Sequence, residues 1–421
     1  MTAQLTTLDN GLRVVTDSME TVETVALGAW VGVGTRHEDA DQNGISHLLE
    51  HMAFKGTARR SASDIAAEIE AVGGHLNAYT SRETTAYYAK VLNEDVPLAV
   101  DLLSDILQHS TFDPQELERE RSVILQEIGQ ALDQPEDVVF DAFQATAYPD
   151  QALGRPVLGQ PEVIRSVSRQ AIIDYMTARY RTSDIVLAAA GRISHDAFVS
   201  LVRDNFGELP TGHAPAAEPA RYAGGEHRDV QDLEQVHLVL GFDGLSFHHP
   251  DFYALQVFSA LYGGGMSSRL FQEVREKRGL VYTIYSFASG LSDSGILGVY
   301  AGTGEKEAEE VVRIVCGELA ALGDTVSAAE VQRARAQLKA SILMSRESTS
   351  ARCEQAATQV QVFGRPLAVG EVVEKIEAVD TAKIRELAGR LASTQPTFAA
   401  IGPVGHIAPF EEIRERLRLA V

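Results

Sequence analysis

Cysteine is nearly absent: the 421 residues hold only Cys316 and Cys353. That excludes a fold stapled by disulfides and reads as two core thiols in a reducing compartment. No stretch of eighteen apolar residues occurs, so no segment is built to cross a bilayer as a helix. Basic residues are outnumbered, 37 Lys and Arg against 59 Asp and Glu, for a formal net charge of −22. Nucleic-acid binding needs a basic footprint and is excluded on that balance, whereas cationic peptides would be attracted. Met1-Thr2-Ala3-Gln4-Leu5 has neither the basic and apolar regions of a secretory signal nor the arginines of a transit peptide, so the cytoplasm is the expected location. What is present, 45% hydrophobic and 23% charged residues, is the composition of a globular protein. The length exceeds one ordinary domain and predicts two or more.

The most informative stretch is Gly44-Ile45-Ser46-His47-Leu48-Leu49-Glu50-His51-Met52-Ala53-Phe54-Lys55-Gly56. Glycines at both ends mark a short helix. His47 and His51, four apart, share one face of it, and Glu50 lies beside them. Two neutral imidazoles on one face can bite a divalent metal, zinc above all, and a neighbouring carboxylate that is not a ligand can take a proton from an attacking water. Two surface histidines on an ordinary helix would read the same from these residues alone; a third ligand separates the readings. Asp113-Pro114-Gln115-Glu116 starts a second helix, with Asp as N-cap and Pro at the first helical position. On it Glu120 and Glu127 are seven apart and share a face flanked by Val123, Ile124 and Ile128. That face is expected to point inward, where a carboxylate needs a partner and a metal would serve.

His-x-x-Glu-His is the inverted form of the zincin motif. With Glu127 following 76 residues after His51 (127 − 51), the chain resembles the pitrilysin/insulinase family of inverzincin metallopeptidases, and within it the processing-peptidase branch. Gly74-His75-Leu76-Asn77-Ala78-Tyr79-Thr80-Ser81-Arg82-Glu83, Thr85–Lys90 and Leu187–Gly191 carry the likeness further; it is strong over the first half and weaker over the second. The resemblance implies one zinc ion per chain on His47, His51 and Glu127, with Glu50 as the base and Glu120 as a supporting carboxylate. It implies that a substrate strand pairs with the chain at Asn77 and Ala78. It also makes Gly263-Gly264-Gly265 a substrate-handling loop, and it makes Arg275 and Tyr282 the pair that holds the substrate carbonyl. Asp141 matches a position that receives an arginine just upstream of the cut; Asp137 stands where the pattern has a glutamate.

The rest of the chain reads as α+β. Leu5–Leu8 and Leu12–Val15 flank Asp9-Asn10-Gly11, a hairpin signal. Thr24–Gly34 reads as a buried strand, Leu76–Thr80 and Thr85–Leu92 as two more, and Ile185–Ala190 as a core strand; helices are expected over Ser63–Val72 and Asp95–Leu107. Pro135 opens a helix that puts Asp137 and Asp141 on one face. Glu208–Arg228 is rich in Pro, Ala and Gly, and residues 211–228 are expected to link a domain 1–210 to a domain 229–421. The two halves echo each other. Gly154-Arg155-Pro156 recurs as Gly364-Arg365-Pro366, an offset of 210 (364 − 154), and Ala188-Ala189-Ala190-Gly191 recurs as Ala399-Ala400-Ile401-Gly402. Glu120 then corresponds to Ala334 and Glu127 to Ser341, so only the first copy keeps the metal set. The glycine run at 263–265 fits neither a P-loop nor a dinucleotide fingerprint.

The expected architecture is two homologous domains, each a mostly antiparallel sheet with helices, closing as a clamshell on a chamber. The first carries the zinc; the second lacks the ligands and binds substrate. The expected function is a zinc-dependent endopeptidase that prefers basic residues near the cut and works as a homodimer, without nucleic acid or membrane. The rival is a non-catalytic structural subunit of the same fold.

Overall fold

A computed structural model describes residues 3–418. Met1 and Thr2, the start of the stretch read as lacking a targeting signal, lie outside the described residues. The first half of the chain runs β1 Gln4–Thr7, β2 Arg13–Ser18, β3 Thr24–Val31, α1 Ile45–Ala53, α2 Ala62–Ala71, β4 His75–Thr80, β5 Thr85–Leu92, α3 Val96–Gln108, α4 Pro114–Leu132, α5 Pro135–Ala147, α6 Pro161–Ser166, α7 Arg169–Arg179, β6 Ile185–Gly191 and α8 His195–Asn205. The second runs β7 Gly225–Val230, β8 Val236–Asp243, α9 Phe252–Gly263, β9 Val281–Gly290, β10 Gly295–Thr303, α10 Ala308–Thr325, α11 Ala328–Ser345, α12 Thr349–Phe363, α13 Val369–Glu377, α14 Thr381–Ser393, β11 Thr397–Gly402 and α15 Phe410–Arg418. Among the described residues no helix is long and apolar enough to cross a membrane.

The strands form two sheets, ordered β1-β2-β6-β3-β5-β4 and β7-β11-β8-β10-β9. Apart from β1 the orders match strand for strand, and so do the directions. β2–β6 and β7–β11 are parallel; every other pair is antiparallel. The α+β class and the duplication expected from the sequence are both present. β3 explains its continuous apolar run. Val25, Leu27, Ala29 and Val31 face one core, shared with α1 and α3. Ala26 and Trp30 face a second core, shared with α12. A strand buried on both faces needs no polar alternation.

The compact units are not two contiguous halves. Unit 1 comprises residues 1–130, 155–218 and 344–368; unit 2 comprises 131–154, 219–343 and 369–421. The two segments that depart from the expected split at 211–228 hold the helices α5 and α12. In unit 1, α12 closes the second face of the first sheet with Cys353, Ala356, Ala357 and Val360 against Val15, Ala26, Trp30, Val186, Ala188 and Ala190. It is further tied by Arg346 and Arg352, each 3.2 Å from a carboxylate oxygen of the buried Asp17. In unit 2, Val139, Phe143 and Ala147 of α5 cover Val239, Tyr300, Ala399 and Ile401 of the second sheet. The linker also differs from expectation at its end. Gly225–Arg228 pair with β11 as part of β7, an edge strand too polar and glycine-marked to stand out from a linker.

The exchange makes a testable demand. Residues 1–218 expressed alone leave the Val15/Ala26/Val186/Ala188/Ala190 face bare and are expected to aggregate or to bind a hydrophobic dye. Co-expression with residues 344–368 is expected to restore a soluble unit with Trp30 shielded. A well-behaved 1–218 fragment with native Trp30 emission would show that α12 is dispensable to unit 1.

Candidate metal centre

Helix α1 is positioned from its two ends. Ile45, Leu48, Leu49, Met52 and Ala53 are buried, so packing fixes its rotation and turns His47, Glu50 and His51 toward one side. Its start is held by Glu38, 3% exposed. One Glu38 carboxylate oxygen accepts from the Gly44 N–H at 2.8 Å and from Asn43 Nδ2 at 3.0 Å. The other accepts from the Ser46 N–H at 2.8 Å. Gly44 itself sits at φ 95°, a conformation glycine adopts without strain. Burial pushes the Glu38 carboxyl up, against the pull of those donors. As an acceptor at a helix N-terminus it satisfies amides that α1 cannot satisfy itself. Ser46 adds a hydroxyl contact to Tyr175 at 2.9 Å.

Helix α4 supplies the acids. Asp113 accepts from the Gln115 and Glu116 amides at 2.8 and 3.2 Å, confirming the expected N-cap. Leu117, Glu120, Ile124 and Ile128 are buried. Val123, expected on the inward flank, is 39% exposed, because the buried stripe advances by three or four residues and skips it.

The two helices bring His47, His51 and Glu127 together, one ligand atom from each lying within 4.8 Å of the others. Glu127 Oε2 is 3.7 Å from His47 Nε2 and 3.6 Å from His51 Nε2. Those separations are too long for hydrogen bonds, and Glu127 Oε2 is a buried acceptor with no donor in the described residues. They are close to the edges of a tetrahedron around one ion with bonds of about 2.1 Å, roughly 3.4 Å. The donor set therefore fits a divalent cation such as zinc. Burial, and then His51, lowers the His47 pKa to about 4, so its imidazole is neutral, as a ligand must be.

The surrounding groups are equally specific. Glu120 Oε2 meets His51 Nδ1 at 2.9 Å and Glu120 Oε1 meets Lys55 Nζ at 2.8 Å. Bonding at Nδ1 leaves His51 Nε2 toward Glu127 and fixes the ring. Glu50 Oε2 accepts from Thr80 Oγ1 at 2.6 Å, and burial pushes its carboxyl up. Glu38 and Thr80 were missed from sequence. Lys55 had a signal, since it is four residues after His51 and so on the same face.

Asn77 and Ala78 lie on β4, an edge strand of the first sheet. Arg275 lies on the short π-helical turn Phe271–Glu276, its guanidinium 4.8 Å from the Phe271 ring centroid and 5.1 Å from that of Tyr282. Tyr282 is 78% exposed. Asp137 and Asp141 lie on the exposed face of α5, opposite its buried Val139 and Phe143. The glycine run starts on a helix and only then turns into a loop. Gly263 ends α9, and a Cβ there would stand 2.6 Å from the Ser286 amide nitrogen, so close packing requires the residue; Gly264 and Gly265 follow the helix.

Residues 13–161 match the insulinase family (peptidase family M16), and residues 166–338 match the peptidase M16 inactive domain. A zinc protease of Rickettsia felis is 38% identical over 397 residues, 94% of this chain and 96% of that one. The β subunit of the human mitochondrial-processing peptidase is 38% identical over 428 residues, covering 98% and 87%. Among solved structures, a peptidase M16 inactive domain from Pseudomonas fluorescens superposes with a TM-score of 0.89 at 18% identity, covering 97% of this chain and all of that one. A chain of the Candida albicans complex III2 superposes with a TM-score of 0.88 at 23% identity, covering 98% and 99%. Two family matches laid end to end, and relatives this similar over nearly their whole length, leave one assignment: the chain belongs to the insulinase family of peptidases, family M16.

Proposed function

We propose that the chain is a zinc-dependent endopeptidase that cuts peptides or unfolded segments in the manner of a processing peptidase. The observation that carries this reading is the convergence of His47, His51 and Glu127 beside a half-buried carboxylate, Glu50, in one helix pair. One zinc ion would be held by those three residues. When bound, it supplies a Lewis acid that polarises a peptide carbonyl and acidifies water. Glu50 is the base that takes the proton of the attacking water. Thr80 engages Glu50 Oε2, which leaves the other oxygen to accept. Glu120 keeps His51 in the tautomer that offers Nε2, and Lys55 neutralises Glu120.

The substrate joins the open edge of β4 as an added strand, through the backbone at Asn77 and Ala78. Arg275 and Tyr282 offer a guanidinium and a phenol to a substrate carbonyl and its developing negative charge. Gly263, Gly264 and Gly265 belong to the substrate-handling segment. Asp137 and Asp141 offer two carboxylates to an arginine near the cut. The same reading takes the chain as cytoplasmic and as a homodimer, the latter checked by its mass in solution. The competing reading, a non-catalytic subunit of the same fold, is kept by the likeness to the complex III2 chain. Incubating purified protein with basic peptides, with and without chelator, and mapping the cuts decides between them. Chelator-sensitive cleavage supports the peptidase; a metal-free, inert protein supports the subunit.

Base and ligands should separate on substitution. Glu50→Gln is expected to keep one zinc per chain by elemental analysis while turnover falls about 10²–10⁴-fold. His47→Ala, His51→Ala and Glu127→Gln should lose metal and activity together. Glu120→Gln should weaken zinc binding about 10–100-fold without abolishing it. Normal turnover in Glu50→Gln would refute the mechanism.

Asp137→Asn with Asp141→Asn is expected to lower cleavage of peptides bearing an arginine just upstream of the scissile bond, leaving arginine-free peptides unchanged. Identical cleavage maps for the double variant and the parent would remove these residues from recognition.

A further inference from the structure

Between the first sheet and α12 lies a cavity of about 280 Å³ walled by Trp30, Tyr79 and Tyr88, floored by Ala26, and bordered by Ser350 and Glu354 of α12. It is smaller than the roughly 300–1,000 Å³ of small-molecule sites, the size for one long side chain. Trp30 Nε1 donates to the Tyr79 hydroxyl at 3.3 Å, and that hydroxyl donates to Glu354 Oε1 at 3.0 Å. Tyr79 is the only hydrogen-bond partner Glu354 has, and no cation pairs with it among the described residues.

The duplicated sheet shows that this space is not inherent in the fold. Ala188 and Ala399, each three residues before the closing glycine of its strand, pair with Gly28 and Val239 respectively. Gly28 pairs with Tyr88 and Val239 with Tyr300, so Tyr88 and Tyr300 are equivalent. In unit 2 the place is filled: Phe140 of α5 stacks on Tyr300 at 5.7 Å and meets Phe287 at 5.5 Å. Asn77 pairs with Tyr88 and Tyr285 with Tyr300, so Tyr79 and Phe287, two residues on, are equivalent too, and Glu354 meets Tyr79 as Phe140 meets Phe287. Where α5 has Phe140, α12 has Glu354. Where β8 has Val239, β3 has Gly28, whose added Cβ would lie 2.8 Å from Tyr88 Cβ and 2.9 Å from Trp30 Cζ3. An aromatic filler is thus replaced by a carboxylate, leaving aromatic walls open beneath an anion with no cationic partner among the described residues, while the side-chain space at Gly28 is taken by Trp30.

We propose that this cavity is a second subsite for a basic side chain, an arginine or lysine of the bound peptide. The cation rests on the Trp30 and Tyr88 rings with Glu354 at the mouth, the chemistry of an aromatic cage. The proposal rests on the strand addition to β4 argued above. Residues directly opposite in paired strands project to the same face, so the peptide residue paired with Tyr79 projects to the Glu354 side. Its neighbours project to the side where Thr80 meets Glu50. The subsite therefore reads a different residue of the peptide from those at the metal ligands, and it uses neither Asp137 nor Asp141.

Trp30 is the only tryptophan in the chain, so its emission reports occupancy directly. Chelator-treated full-length protein is titrated with extended peptides in which one arginine is moved along the sequence, and with the same peptides carrying citrulline. One arginine position is expected to give a saturable change in Trp30 emission, with the citrulline peptide binding about tenfold more weakly. Glu354→Gln, an exposed position that leaves the fold intact, should erase that tenfold difference; Asp137→Asn with Asp141→Asn should keep it. Trp30 emission indifferent to every peptide, or an arginine-to-citrulline ratio unchanged in Glu354→Gln, overturns the proposal. Because no metal is present, this outcome is separate from catalysis. A protein that binds as expected but cuts nothing once zinc is restored refutes the peptidase reading and leaves the subsite standing.

Discussion

The candidate centre depends on a carboxylate that touches no metal ligand. Glu38 is buried, and both of its oxygens are committed to the first turn of α1 through Asn43, Gly44 and Ser46. A buried carboxylate is tolerated where it is fully hydrogen-bonded, and here its donors are the amides that an α-helix start leaves unsatisfied. With that end held and Leu48, Leu49 and Met52 packed, a nine-residue helix, too short to be stable by itself, presents two imidazoles and a carboxylate in one orientation. The contacts with Glu127, Glu120 and Thr80 all depend on that orientation.

Charges around the centre are arranged in pairs. Glu120 is shared between His51 and Lys55, so its negative charge is spoken for, whereas Glu127 Oε2 is not. Two acids seven residues apart on one helix therefore differ in kind. One orients the His51 ring and the other has no donor among the described residues, and the difference comes from what α1 sets opposite each of them.

Duplication with exchange explains much of the remaining architecture. Each sheet needs a helix over its second face, and each receives it from the other half of the sequence, α12 for the first sheet and α5 for the second. The exchanged helices diverged at the positions that meet the edge strands. Phe140 packs its site shut, while Glu354 leaves its counterpart open. Loss of acids in the second copy, Ala334 and Ser341 in place of Glu120 and Glu127, is a further divergence between the copies.

The i, i+4 spacing of His47 and His51 and the seven-residue spacing of Glu120 and Glu127 are local periodicities. The sequence by itself therefore determined α1 and α4, the sides on which these residues lie, and the N-cap at Asp113. Alternating and continuous apolar runs likewise determined most strands, and repeated landmarks the duplication. Long-range pairing is not written in any local period. Only the tertiary structure decided that Glu38 caps α1, that Thr80 reaches Glu50, that polar β7 joins β11, and that α5 and α12 change sides. Each of those joins residues through a partner whose identity depends on the whole chain being folded: a buried carboxylate needs amides, an edge strand needs a neighbour, and a bare sheet face needs a helix, but none of these needs names its partner in advance.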